Sequence, residues 1–415
     1  MFEYITLQNP HWEGKKYNYL LTRKIFARLV SNLENNNLIL SLEGPRRVGK
    51  SILIKQLMDS LLNSKVSSKD IFYFSFDDFY LEPIKVIKEY EQLRGKSLRD
   101  GKMYFFFDEV QKIKDWQTQI KIIYDNYSNI KIIISGSTLR QNKKESLAGR
   151  ILEYFINYLS FEEFELFSNN TKILSSEIDD VFISEYNLYL SRQYPELTIN
   201  RILVPKEYIY TIVKKVIFED SEKFIENVDK DLLHKIFNIV LRNPGQIIDY
   251  SDLAKDLGSN RKIISNYIDF LINSSIVRKV YNFSNNARKI ESSSRKFYPF
   301  CTSLISYMSE NSEMSKIIET DVAFQLNAEY FWNKDNEEID FIIDSKKRMG
   351  LEVKYKLSID TKDIKTFNSK EFEKLHIVDK IIIIRDNSKL FFDTKEIIPI
   401  KYYTLWKTKE RLLNL

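Results

Sequence analysis

Eight residues, GPRRVGKS from Gly44 to Ser51, separate the apolar run Leu38–Leu42 from a helical pattern that begins at Ile52. A strand that turns through two glycines straight into a helix leaves the backbone few alternatives. The glycines let N–H groups curl around a β-phosphate, and the new helix offers its unpaired N–H groups and positive dipole end. Lys50 then reaches the β- and γ-phosphates, and Ser51 ligates Mg²⁺. Pro45 stiffens the loop, and Arg46, Arg47, Val48 and Ile52 complete the segment expected to bind the nucleotide. The chain has ten glycines in 415 residues. At that frequency the four fixed positions match by chance on the order of 10⁻³ to 10⁻² times per chain, so an ordinary glycine turn accounts for them poorly.

The surrounding sequence carries the same geometry further. Leu38–Leu42, Ile71–Phe76, Met103–Phe107 and Ile130–Ile134 are short apolar runs separated by amphipathic stretches, the rhythm of a parallel sheet with helices on both faces. The run MYFFFDEV ends in two carboxylates, at the strand tip where ligands of open α/β sheets sit. Asp108 is placed there to hold the Mg²⁺ shell. Glu109 is placed to polarise the attacking water, which points to ATP hydrolysis. The next run, KIIISGST from Lys131 to Thr138, ends in small hydroxyls, of which Ser137 is the first choice to bond the water or the γ-phosphate. Arg140 and Arg150 follow as sources of positive charge, Arg150 acting as a finger on its own nucleotide or on that of a neighbouring copy, which would require a homo-oligomer.

Length and charge bound the rest. At 415 residues the chain has room for two to four domains. Charged residues make up 29% and hydrophobic ones 43%, and no run approaches the roughly 20 apolar residues of a membrane span. The N-terminus lacks a basic start followed by an apolar stretch, so a cytoplasmic location is expected. A single cysteine, Cys301, excludes an internal disulfide, and three histidines disfavour a His-rich metal centre. A net charge of +5 permits nucleic-acid contact without requiring it.

Periodicity divides the chain into an ATPase core over 1–167, a helical subdomain over 168–230, a winged helix-turn-helix over 231–295 and an α/β domain over 296–415. In the third part, helices are expected at Leu232–Arg242, Tyr250–Leu257 and Ser259–Asn273, then a strand at Ile276–Tyr281 and a polar wing over 285–295. The last part is expected to hold a helix from Ser312 to Asn327 and strands at Tyr330–Trp332, Glu338–Ile343, Leu351–Tyr355 and Lys380–Ile384.

GPRRVGKS, FFFDEV, IIISGST, LAGR and LSFEEF, in this order, resemble the motifs of archaeal and bacterial AAA-type P-loop ATPases whose C-terminal part is the domain of unknown function 4143. The resemblance implies a P-loop NTPase core, helices, a winged helix and a small restriction endonuclease-like domain. Two segments depart from the family pattern. RKFYPFCTSL, from Arg295, has Pro-Phe-Cys-Thr where an acidic residue is usual, and SRQYPEL, from Ser191, lacks paired glycines.

Within this division, Asn260, Arg261 and Lys262 open the helix that would enter a DNA groove, with Arg278, Lys279, Arg288 and Lys289 flanking it. In the last domain Asp340 on EEIDFIID and Glu352 and Lys354 on LEVKYK share strand faces, since residues two apart in a strand point the same way. Two carboxylates can hold Mg²⁺ and a lysine can orient water beside a scissile phosphate. The resemblance adds Glu319 as a third carboxylate. An acid-x-Lys triplet alone recurs about five or six times in such a composition, so placement on strands is what gives this one weight. The expected activity is Mg²⁺-dependent ATP hydrolysis coupled to DNA. The alternative is a nucleotide-gated switch that binds a protein partner and carries an inactive nuclease-like domain.

Overall fold

The structure is a computed structural model that describes residues 2–77, 79, 81–137, 139, 147–168, 179–307 and 313–413. Thr138, Arg140 and Ser312 lie outside the described residues. The chain divides into two compact units, Met1–Tyr158 and Leu159–Leu415.

The first unit is built on five strands: β1 Ile39–Glu43, β2 Ile71–Ser75, β3 Met103–Asp108, β4 Ile130–Gly136 and β5 Ile151–Phe155. All neighbours are parallel, in the order β2-β3-β4-β1-β5. Every residue of β1, β3 and β4 is buried, which is why these strands read as unbroken apolar runs rather than as alternation. β5 escaped that criterion because only Tyr154 on it is buried. Helices Lys50–Asn63, Pro83–Arg94 and Trp116–Asn126 connect the strands. One face of the sheet packs Phe72, Phe74, Phe105 and Phe107 against Val86, Ile87, Tyr90, Ile120 and Ile123, and full burial of each such side chain contributes about 1.5–3 kcal/mol.

β2 is an edge strand, and side chains from the N-terminal segment pair with its open side. Asn9 accepts from the Tyr73 N–H at 2.8 Å and donates to the Tyr73 carbonyl at 2.9 Å. Gln8 accepts from the Ser75 N–H at 2.7 Å. An edge so occupied cannot recruit another strand at those positions.

The second unit contains an eight-stranded sheet in the order β15-β13-β11-β10-β9-β7-β8-β6. Its members are β6 Gln246–Ile247, β7 Val277–Asn282, β8 Arg295–Pro299, β9 Tyr330–Lys334, β10 Glu337–Ile343, β11 Met349–Lys354, β13 Asp379–Ile384 and β15 Ile397–Lys401. A separate parallel pair joins β12 Ser358–Asp360 to β14 Lys389–Phe391. β7 runs parallel to β9, so the strands on either side of residue 296 belong to one sheet, and Lys296 itself lies within β8.

Helices Lys230–Arg242, Tyr250–Asp256 and Arg261–Asn273 precede β7. Each begins behind a side-chain cap: Asp229 accepts from Leu232 N–H, Asp249 from Ser251 and Asp252, and Asn260 from Ile263. Caps of this kind contribute about 0.5–2 kcal/mol each. The polar run between β7 and β8 contains a short helix, Ala287–Ser292, behind its own cap, Asn286. The LSFEEF segment belongs to this unit, where Phe161 and Phe164 pack with Phe182, Tyr186 and Tyr189. Among the described residues no helix is long and apolar enough to cross a membrane.

Candidate nucleotide site and a second carboxylate cluster

The strand registers gather the expected residues of the first unit at one end of its sheet. Glu43 pairs with Gly136, and Phe107 pairs with Ile134, so Gly44, Asp108 and Ser137 all leave the sheet at its C-terminal edge. In the loop, Gly44, Arg47 and Gly49 have φ of 147°, 64° and 95°, a left-handed path that favours glycine at two of the three positions. A Cβ on Gly44 would stand 2.1 Å from the Ile156 carbonyl oxygen, whereas nothing lies within 4 Å of a Cβ on Gly49. The first glycine is required by close packing, and the second opens onto free space at the start of the Lys50 helix.

The ammonium of Lys50 is buried and donates to the carbonyls of Gly44 at 2.9 Å and Pro45 at 2.7 Å. Burial pushes its pKa down against the opposing pull of Glu109 and Asp108. Arg23, distant in sequence, donates to the Val48 carbonyl at 2.9 Å and to the Asn157 carbonyl at 2.9 Å, and so fixes the back of the loop.

Asp108 is buried, and each neighbouring strand supplies a hydroxyl to it: Tyr73 donates at 3.1 Å to one oxygen and Ser135 to the other. Glu109 follows in left-handed backbone, φ 56° and ψ 40°, which a non-glycine residue adopts only when its surroundings hold it there. Burial raises the Glu109 pKa, the charges of Lys50 and Arg46 oppose that rise, and Asp108 reinforces it. Ser137 is buried and accepts a hydrogen bond from Gln111 at 3.3 Å.

The residues fit a nucleotide with one Mg²⁺. The loop could present backbone donors and a buried ammonium to polyphosphate, and Ser51 and Asp108 are oxygen donors that could hold the cation. Among the described residues no group of three or more His, Cys, Asp or Glu is placed to hold a metal ion. Mg²⁺ suits such a site because it takes most of its ligands from phosphates and water.

Arg150 does not join them. The register pairs Ile39 with Ile151, and the Ile39 N–H donates to the Arg150 carbonyl at 2.8 Å. The residue therefore sits at the N-terminal end of β1, about 15 Å of strand from the loop. Its guanidinium pairs with Asp125 at 2.9 Å. A finger acting on the nucleotide of its own chain is excluded by this placement.

In the second unit, Asp340, Glu352, Lys354 and Glu319 converge with two residues the sequence reading missed. Lys354 donates to Glu352 at 2.8 Å, and the Val353 N–H donates to Asp340 at 2.8 Å. Tyr298 donates to Glu319 at 2.8 Å, and buried Lys296 pairs with Glu338 and lies 3.9 Å from Asp340. Burial and the Asp340 charge push Glu352 well up. Burial would raise Asp340 too, but Lys296, Lys354 and the Val353 N–H hold it down. Lys296 and Tyr298 lie two apart on β8, and only the sheet order brings that strand to the cluster.

On the expected groove-entering helix, Asn260, Arg261 and Lys262 are exposed. The side-chain oxygen of Asn260 is engaged in capping, accepting from Ile263 at 3.0 Å. Arg278 is withdrawn from the expected basic surface: it is buried, donates to Asn327 at 2.9 Å and lies 4.5 Å over the Phe300 ring.

Three family models match successive parts of the chain. Residues 36–165 match the AAA domain, residues 189–315 a domain of unknown function (DUF8612), and residues 315–403 a domain of unknown function (DUF4143). An uncharacterized protein of Methanocaldococcus jannaschii is 27% identical over 323 residues, 71% of this chain and 67% of the relative. An uncharacterized protein of Haemophilus influenzae is 24% identical over 401 residues, 92% of this chain and 94% of the relative. A mutant of Thermotoga maritima RuvB superposes at a TM-score of 0.32 with 16% identity, over 61% of this chain and 86% of that one.

Proposed function

We propose that this chain, which carries an AAA domain followed by a DUF4143 domain, binds ATP with Mg²⁺, hydrolyses it, and couples the hydrolysis to duplex DNA. The observation that carries the proposal is the meeting of Lys50, Asp108, Glu109 and Ser137 at one edge of the first sheet. Lys50 exchanges the carbonyls of Gly44 and Pro45 for phosphate oxygens. Glu109, half-buried and facing two cationic groups, takes a proton from the attacking water, and Ser137 senses the γ-phosphate. Bound Mg²⁺ would be held by Ser51 and Asp108 and would neutralise phosphate charge.

The exposed first turn at Arg261 and Lys262, together with exposed Arg288 and Lys289 on the short helix after β7, supports contact with DNA phosphates. The carboxylate cluster supports a second reading. Its acids are already paired with Lys296, Lys316 and Lys354. That pairing favours a domain kept for binding rather than cleavage. The test is ATP turnover with and without duplex DNA, alongside a Mg²⁺-dependent cleavage assay on the same DNA. Stimulation by DNA without cleavage is expected. Turnover indifferent to DNA sinks the coupling, and cleavage lost in Asp340→Ala restores the nuclease.

A further inference from the structure

Gln111 occupies a short turn, Val110–Lys112, between β3 and the helix that follows. Its carboxamide nitrogen donates to a carboxylate oxygen of Glu109 and, at 3.3 Å, to the hydroxyl of Ser137. One side chain therefore joins the tip of β3 to the tip of β4. The carboxamide oxygen is buried and has no hydrogen-bond partner among the described residues, an arrangement that persists only where the surroundings fix the group. The surroundings do so through Gly136. A Cβ there would stand 2.0 Å from the Gln111 oxygen and 2.9 Å from its Cδ. Gly136 lies in β4 and has no positive φ, so it is glycine to make room for the carboxamide and for Leu139, whose Cδ2 would stand 2.8 Å from that Cβ, rather than to bend the chain.

We infer that Gln111 is a positioning residue, seated over Gly136, that ties the direction of the Glu109 carboxylate to the state of the Ser137 hydroxyl. The inference rests on the ATPase reading and gives it a means of regulation. In the structure Glu109 is turned toward Gln111. A γ-phosphate that engages Ser137 draws on the hydroxyl to which the carboxamide is bonded, and the shared donor moves with it. Glu109 is then aimed by the same event that puts a phosphate in place.

The test uses the full chain with Gln111→Met, which keeps the length and removes both donors, with Ser137→Ala, and with the pair combined. ATP turnover, affinity for a fluorescent ATP analogue and the thermal unfolding midpoint are measured on each. Gln111→Met is expected to lower kcat about 10-fold or more with affinity changed less than about 2-fold. The double variant is expected to be no slower than the slower single one, within about 2-fold, because both changes cut one connection. Gly136→Ala should reproduce the kcat loss by displacing the carboxamide. If Gln111→Met does not fold, Gln111→Asn, too short to span both partners, is read in its place and should show the same loss. An unaltered kcat in these variants, losses that multiply in the double variant, or a fall in affinity and midpoint equal to that in kcat would overturn the inference. Absence of turnover in the unaltered chain would overturn the ATPase reading, and the inference with it. Normal turnover with an indifferent Gln111→Met would overturn the inference alone.

Discussion

Lys50 is buried and Glu109 half-buried, and each is held by a different kind of partner. Lys50 rests on two loop carbonyls, which phosphate oxygens can replace. Lys50→Ala should therefore abolish ATP binding in a direct titration, and an affinity near that of the unaltered chain would sink the assignment. Glu109→Gln removes only the base, so it should retain ATP while lowering turnover by about 10²–10⁴-fold. Tyr73 contributes at one remove, through its hydroxyl on Asp108. Tyr73→Phe leaves one Asp108 oxygen without that donor and should raise the Mg²⁺ concentration needed for half-maximal binding of the fluorescent nucleotide several-fold. Lys50, Asp108 and Glu109 were legible in the sequence because phosphate chemistry demands those residue types at that spacing. Tyr73, Ser135 and Gln111 were not assigned these roles, because strand register and a positive-φ residue bring them to their partners.

Helix Arg261–Asn273 separates two roles within one turn. Asn260 is committed to the cap, so Asn260→Ala should lower stability by about 0.5–2 kcal/mol and leave DNA affinity largely unchanged. Arg261→Ala and Lys262→Ala should do the reverse, weakening DNA binding across sequences and lowering the salt slope by about 1 each. Binding isotherms at several salt concentrations, paired with thermal unfolding, decide between them. DNA affinity indifferent to salt and to Arg261→Ala would count against groove contact. The three helices before β7 and the strands β1 to β4 could be placed from sequence, since caps and hydrophobic periods act over a few residues. β5 was missed because its burial comes from one neighbour, β1, and from nothing in its own pattern.

Over the whole of the second unit, buried carboxyls make stability depend on pH. Burial raises Asp321 to about 6, where Tyr186 donates to it at 2.6 Å. Burial raises Glu165 to about 7, with Glu185 adding to the rise and Arg201 opposing it, and both Glu165 oxygens lack a hydrogen-bond partner among the described residues. An acid whose folded pKa lies above its unfolded value binds its proton more tightly in the folded state. Its contribution is therefore present in full below pH about 4 and is lost as the pH rises through about 6 for Asp321 and about 7 for Glu165. Glu165→Gln cannot take part in that loss. Its unfolding midpoint should fall less than that of the unaltered chain between pH 5 and pH 8, and equal falls would overturn the assignment. The sequence by itself determined the phosphate loop, the carboxylates at the end of β3 and the parallel sheet of the first unit, because each is set by contacts a few residues long or by a residue type only one chemistry needs. Tertiary structure alone decided that Arg150 lies at the far end of β1, that Arg278 is buried, that Lys296 and Tyr298 reach the second carboxylate cluster, and that Gln111 spans Glu109 and Ser137. Those placements depend on which strands become neighbours, and that choice is made by the packing of the whole sheet.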